Sequence, residues 1–324
     1  EYPAILLKQF YISIIRTRLF DELSKFQNER WRQNYTGISG IIEDTNLNHE
    51  LKGHIHQNHH DDIKQLRILT TSSPVGYKNS TVMIGKDIVY LFGGKQIGEE
   101  YSASNKVIKI DFSDSRNPKI LKANSIQMPR VNANATILPN GKVFINGGTA
   151  YKDLQFSIYK SEIYDPFIEK SELMDKGYFR RNYHSTALLL PNGTILVSGG
   201  DVWNSEIFYP PYLFAKDSEG NTVLANRPII ENINPSIRRG KVKIKLNENN
   251  PIEIDKFTII STGSKTHAQG SEPKFRSLQF SRENKSEFII EIPENKNELQ
   301  DGTYMIFAIS KSGTPSEGKI IFLN

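Results

Sequence analysis

Three times in this chain a short apolar run ends in a pair of glycines: DIVYLFGG (Asp87–Gly94), GKVFINGG (Gly141–Gly148) and GTILVSGG (Gly193–Gly200). The pairs end at residues 94, 148 and 200, which are 54 and then 52 residues apart. A period of this size, with a diglycine closing an inner strand, is the mark of a stacked array of small antiparallel sheets. Glycine is expected there because neighbouring backbones crowd together and a Cβ would clash. The turns Pro139-Asn140-Gly141 and Pro191-Asn192-Gly193 join ANATIL to KVFING and STALLL to TILVSG as hairpins. Further strands are expected over Lys106–Asp111 and Ser161–Pro166.

The fold class this implies is all-β: kelch-type β-propeller blades followed by an immunoglobulin-like β-sandwich. Residues 66–225 number 160 and supply three blades at about 50 residues each, whereas closed rings take 4 to 8. An unclosed stack exposes strand edges, so the expectation is that the ring is completed by upstream polypeptide or by a partner chain. Residues 1–65 allow two readings. Leu7, Tyr11, Ile14, Ile15, Leu19, Leu23 and Phe26 fall near helical spacing and suit a docking helix, while Tyr11–Ile15 alternates like a strand of a degenerate blade. From 226 to 324 the pattern becomes short strands, at 241–246, 256–261, 287–292 and 303–310, as in a sandwich, with Arg227-Pro228 at the junction.

Composition narrows the function. No run of 18 apolar residues exists to span a bilayer, and the mean hydropathy of −0.47 is that of a globular chain. The net charge of +5 is interspersed rather than gathered into a stripe, which argues against a nucleic-acid partner. There is no cysteine, hence no disulfide, thiolate ligand or cysteine nucleophile within the chain. No signal peptide is visible at the start of the sequence, and five N-x-S/T triplets occur, at Asn34, Asn79, Asn134, Asn192 and Asn284.

Two segments carry a more specific resemblance. One runs Arg181-Asn182-Tyr183-His184-Ser185 through the hairpin and diglycine to EIFYPPYLF (Glu206–Phe214) and Arg227-Pro228-Ile229. The other runs Gly263-Ser264-Lys265-Thr266-His267, then Asp301–Phe307 and Ser312-Gly313-Thr314-Pro315-Ser316. In order and spacing, residues 75–324 resemble the galactose oxidase and glyoxal oxidase family. The resemblance implies a copper ion held by Tyr183, His184 and His267, with Tyr183 as axial ligand and general base. It further implies oxidation of a primary alcohol or aldehyde by O2 to give H2O2, a small alcohol, aldehyde or carbohydrate as substrate, and an extracellular or cell-envelope location. Imidazoles with phenolate oxygen do form the tetragonal N,O set that suits Cu(II), and a phenolate can accept a hydroxyl proton.

The sequence also departs from that family. Its radical tyrosine is cross-linked to a cysteine, and no thioether cofactor can form in a chain without cysteine. Tyr77 and Asn132 precede diglycine runs, but colinearity puts them after the radical-bearing blade, so neither is a replacement. Where the family has an acidic residue and Gln-Arg, this chain has Glu272-Pro273-Lys274, and a remodelled loop is expected. A non-enzymatic propeller and sandwich scaffold that binds glycan or protein, with an incomplete copper site, is therefore the alternative. Separately, five of the seven histidines fall together, at His49, His54, His56, His59 and His60. His54, His56, His59 and His60 have spacings that can chelate a metal, although a His-rich polar loop is more often just solvated.

Overall fold

The computed structural model describes residues 78–95, 102–114, 117–151, 154–263, 265–266, 269–270 and 274–324. Two four-stranded antiparallel meanders come first. The first holds β1 (Ser80–Ile84), β2 (Ile88–Phe92), β3 (Val107–Asp111) and β4 (Lys119–Ala123). The second holds β5 (Asn134–Ile137), β6 (Val143–Asn146), β7 (Lys160–Asp165) and β8 (Lys170–Lys176). A third sheet has three strands among the described residues, β9 (Ser185–Leu189), β10 (Ile195–Gly199) and β11 (Ser205–Phe208). The innermost strands β1, β5 and β9 lie side by side, tied by Ser80 Oγ donating to Ala133 O at 2.5 Å, Asn134 Nδ2 to Ser185 Oγ at 2.8 Å and Thr136 Oγ1 to Ala187 O at 3.0 Å.

What fixes one sheet to the next is a repeated buried arginine. Arg130 and Glu162 are fully buried and paired at 2.9 Å, and Arg130 also donates to Gly147 O and Lys160 O. Arg181 repeats the arrangement one sheet later: it pairs with Glu206 at 3.0 Å and donates to Gly199 O and Asn204 O. The backbone carbonyl of each arginine accepts the N–H of the preceding sheet's second glycine, Gly94 to Arg130 and Gly148 to Arg181, both at 2.7 Å. That approach is the reason for the glycines. Gly93 and Gly147 have φ of +65° and +69°, and a Cβ on either would collide with the carbonyl oxygen of Arg130 or Arg181 respectively.

A hairpin of β12 (Phe214–Lys216) and β13 (Thr222–Leu224) leads into the sandwich. One of its sheets has the order β15 (Ser236–Ile237), β23 (Lys319–Leu323), β22 (Gly302–Ser310), β17 (Ile254–Ser261), β20 (Lys274–Arg282). The other joins β14 (Ile230–Asn232), β16 (Gly240–Leu246), β21 (Glu287–Ile292) and again β20. The strands anticipated at 241–246, 256–261, 287–292 and 303–310 fall within β16, β17, β21 and β22. The nine-residue β20 was not anticipated, and it starts at Lys274, where a remodelled loop was expected. It serves both sheets, pairing with β17 over Phe275–Leu278 and with β21 over Gln279–Arg282.

The strand β20 also reaches the first meander: Met83 and Ile84 of β1 pair in parallel with Lys274 and Phe275. The inner edge of β1 is thus covered at one end by the sandwich. Both Pro-Asn-Gly turns dock on the same domain. Thr258 Oγ1 donates to Pro139 O at 2.8 Å, Gly318 N–H to Pro191 O at 2.7 Å, and Arg227 spans Asn192 O, Pro315 O and Ser316 O. Accordingly one apolar core runs through Val82, Phe92, Ile137, Ile145, Tyr164, Ile260, Phe275 and Phe307, crossing the junction without a break. A second core, around Phe257, Ile290 and Ile306, belongs to the sandwich alone.

Two sequence features change meaning in the fold. Asn79 and Asn134, both in glycosylation triplets, are buried and therefore closed to modification in the folded chain, while Asn192 and Asn284 are exposed. The readings for residues 1–65, including the helix or degenerate blade and the histidines at 49, 54, 56, 59 and 60, lie outside the described residues.

Removing one member of a buried ion pair strands the other without solvent. Arg130→Ala and Glu162→Gln should each lower the unfolding free energy by about 3–5 kcal/mol, measured by urea denaturation. The double substitution Arg130→Met, Glu162→Leu should cost clearly less than the sum of the two single changes. Additive losses would show that the pair does not act as a unit.

Candidate metal centre

Tyr183 and His184 lie in the link between the latch residue Arg181 and the first residue of β9. In extended backbone two consecutive side chains point to opposite sides. Here they do not: His184 adopts φ +64°, and the left-handed turn brings its ring over that of Tyr183, with centroids 3.9 Å apart and planes inclined by 35°. The turn is closed by Ser185 N–H donating to Asn182 O at 3.0 Å. Asn182 is buried, with its Nδ2 on Ser157 Oγ at 2.9 Å, so the link is anchored on both sides of the exposed pair. Gly199 gives room for it, since a Cβ there would stand 2.7 Å from His184 O.

The left-handed residue is a property of the repeat. Lys78 and Asn132, just ahead of β1 and β5, have φ of +63° and +58°. Left-handed backbone in a residue with a Cβ costs on the order of 1–2 kcal/mol, and three successive sheets accept it at the same place. The three positions are neighbours: Asn132 N–H donates to Lys78 O at 3.1 Å, and Lys78 Nζ lies 5.6 Å from the centre of the Tyr183 ring. The repeat therefore gathers an ammonium, a carboxamide, an imidazole and a phenol at one end of the inner strands. Tyr183 is 41% exposed, leaving its ring open to a ligand.

The sandwich contributes to the same region. β18 (Lys265–Thr266) and β19 (Gln269–Gly270) pair with each other, and they lie alongside β9 and β1 respectively. His267, the remaining residue of the expected ligand set, falls between these strands in sequence and is outside the described residues, as is Tyr77. Among the described residues no three His, Cys, Asp or Glu side chains converge, so Tyr183 and His184 are the described members of the set. The chemistry of the pair fits a tetragonal N,O metal with one phenol oxygen and one imidazole nitrogen on a single exposed face. Sequence reading found this pair, and quoted Arg181 and Glu206 within the same motif, but missed that these two pair with each other and hold the link. The available signal was positional: Arg130 and Arg181 precede Gly147 and Gly199 by 17 and 18 residues.

Blade-like antiparallel sheets followed by a β-sandwich, with a Tyr-His pair where the two meet, define an all-β protein. Residues 227–323 match the family model described as "Galactose oxidase-like, Early set domain". The galactose oxidase of Gibberella zeae is 25% identical over 250 residues, covering 73% of this chain and 36% of that protein. The aldehyde oxidase GLOX1 of Arabidopsis thaliana is 25% identical over 288 residues, covering 76% of this chain and 45% of that protein. Among solved structures, a fungal alcohol oxidase described as catalytically diverse among the AA5 family, in complex with copper, superposes with a TM-score of 0.68 at 21% identity. That superposition covers 78% of this chain and 55% of that one, and shows a shared fold. The C-terminal sandwich thus matches the galactose oxidase-like early set domain, the chain as a whole is similar in sequence to galactose oxidase and an aldehyde oxidase, and it spans about a third of the length of the galactose oxidase it matches.

Because His184 holds a left-handed φ, His184→Gly removes the imidazole without straining the backbone. Cu(II) titrated into the chain and followed by calorimetry should bind at least about tenfold more weakly in His184→Gly and in Tyr183→Phe, a change of about 1.4 kcal/mol or more. Equal affinity in all three proteins would remove the pair from the ligand set.

Proposed function

We propose that this chain carries the copper-binding part of an alcohol or aldehyde oxidase of the galactose oxidase type, with Tyr183, His184 and His267 as ligands. The observation that carries the reading is the stacked Tyr183–His184 pair, exposed beside the two short strands that bracket His267. A Cu(II) ion held there would supply an electron acceptor and an open coordination position for a hydroxyl oxygen. The protein's part is positional and acid–base: His184 fixes the ion through imidazole nitrogen, and the phenol oxygen of Tyr183 takes the hydroxyl proton of the alcohol. The overall reaction converts RCH2OH and O2 into RCHO and H2O2. Secretion and a small alcohol, aldehyde or carbohydrate substrate belong to the same proposal.

Full activity needs a second redox group, and in this reading it comes from other polypeptide, since the chain has no cysteine for a Tyr-Cys cross-link. Upstream blades, or a partner chain, would complete the ring as well. The same absence of cysteine favours a second reading, a binding scaffold with an incomplete metal site.

The test is peroxide production from galactose, glycerol and glyoxal-type substrates after Cu(II) loading. The isolated chain is expected to bind Cu(II) and to release no peroxide above background. Turnover by the isolated chain would refute its dependence on other polypeptide, and failure to bind Cu(II) at all would leave the scaffold reading in place.

A further inference from the structure

Between the second and third sheets, away from the Tyr183–His184 pair, lies a cavity of about 270 Å³. Its lining residues include the aromatics Tyr159, Tyr178 and Phe179 and the polar Asn146, Lys176 and Glu206. The aromatic rings are far from buried: Tyr178 is 86% exposed, and Tyr159 and Phe179 about two-fifths. Several exposed rings around one concavity are unusual on a protein surface and mark a binding function. The segment that carries Tyr178 and Phe179 is also held in place. Tyr178 N–H donates to Glu206 Oε1 at 2.6 Å, and the Phe179 ring lies 5.6 Å from the Arg181 guanidinium, itself fixed by Glu206 Oε2.

The second observation is Asn146. It is 4% exposed, lines this cavity, and its Oδ1 accepts no hydrogen bond among the described residues. A buried carboxamide oxygen without a donor is costly, and a ligand hydroxyl or N–H relieves it.

The lining selects among ligand classes. An anion meets the Glu206 carboxylate, and a cation meets Lys176 and Arg181, so neither charge sign is favoured. A purely apolar ligand leaves Asn146 Oδ1 unpaired. A neutral ring that offers an apolar C–H face to the tyrosines and hydroxyl donors to Asn146 satisfies all of these groups, and the volume admits one such ring. We propose that this cavity binds a single neutral pyranose, as a free sugar or as the terminal unit of a glycan. It is independent of the copper reading, because neither Tyr183 nor His184 lines it.

Saturation-transfer NMR on the copper-free 324-residue chain tests this, with methyl β-galactoside and glucose as free sugars and lactose and cellotriose as chain ends. Transfer to ring protons of at least one probe is expected. Transfer confined to the two oligosaccharides assigns the site to chain ends, whereas transfer to monosaccharides as well assigns it to free sugars too. Tyr178→Ala, at a residue too exposed to matter for folding, should reduce the signal at least fivefold, and Asn146→Leu should abolish it; circular dichroism checks that both variants fold. No transfer to any probe overturns the proposal, as does a signal that survives Tyr178→Ala. A signal that survives Tyr178→Ala but is lost in His184→Gly moves the sugar to the axial pair.

Discussion

The stack of sheets depends on a buried charge pair used twice. Arg130 with Glu162, and Arg181 with Glu206, each join a link segment to the third strand of the sheet that follows. Burying a guanidinium is expensive, and desolvation pulls the Arg130 pKa down while the Glu162 carboxylate holds it up. The geometry makes the burial tolerable, because the guanidinium donors also reach carbonyls that the diglycine turns leave free. Each guanidinium therefore ties the second and third strands of its sheet, while the arginine's backbone carbonyl holds the diglycine of the sheet before, which gives register between sheets that apolar packing alone would leave loose.

The Tyr183–His184 pair inherits its precision from this latch. Arg181 stands two residues before Tyr183, so the side chain that locks the third sheet also fixes the segment carrying the phenol and imidazole. The left-handed turn at His184 then sets both rings on one side. The left-handed backbone at His184 sits at an architectural position whose equivalents ahead of β1 and β5, Lys78 and Asn132, are left-handed too. A site of this kind is pre-organised by the repeat on which it sits.

Much of the fold was legible in the sequence because its signals are local. The diglycines, the Pro-Asn-Gly turns and the alternating strands 241–246 and 287–292 each announce themselves within ten residues. The latch was not legible: Arg130 and Glu162 are 32 residues apart, in a chain with 41 basic and 36 acidic residues, so that no pairing stands out. Nor was β20, whose sequence KFRSLQFSR begins with a buried lysine and does not keep one face apolar, because the strand passes from one sheet of the sandwich to the other. The motif Tyr183-His184 was visible, but that the two rings would stack on the same side followed from a positive φ that no residue type signals there.

The parallel pairing of Met83 and Ile84 with Lys274 and Phe275 joins residues 191 positions apart. On a ribosome adding about 5–20 residues per second, β1 would wait roughly ten to forty seconds for the strand that covers it. Through that interval the apolar surface of Val82, Phe92 and Ile145 lacks its sandwich partners Phe275 and Phe307. A nascent chain stalled or cut before β20 thus presents an inner strand with one edge open over a half-built core, the kind of surface that chaperones hold and that seeds aggregation. Phe307 and Gly318, which also meet the sheets from the sandwich, emerge later still, so the junction is complete only when nearly the whole chain has been made.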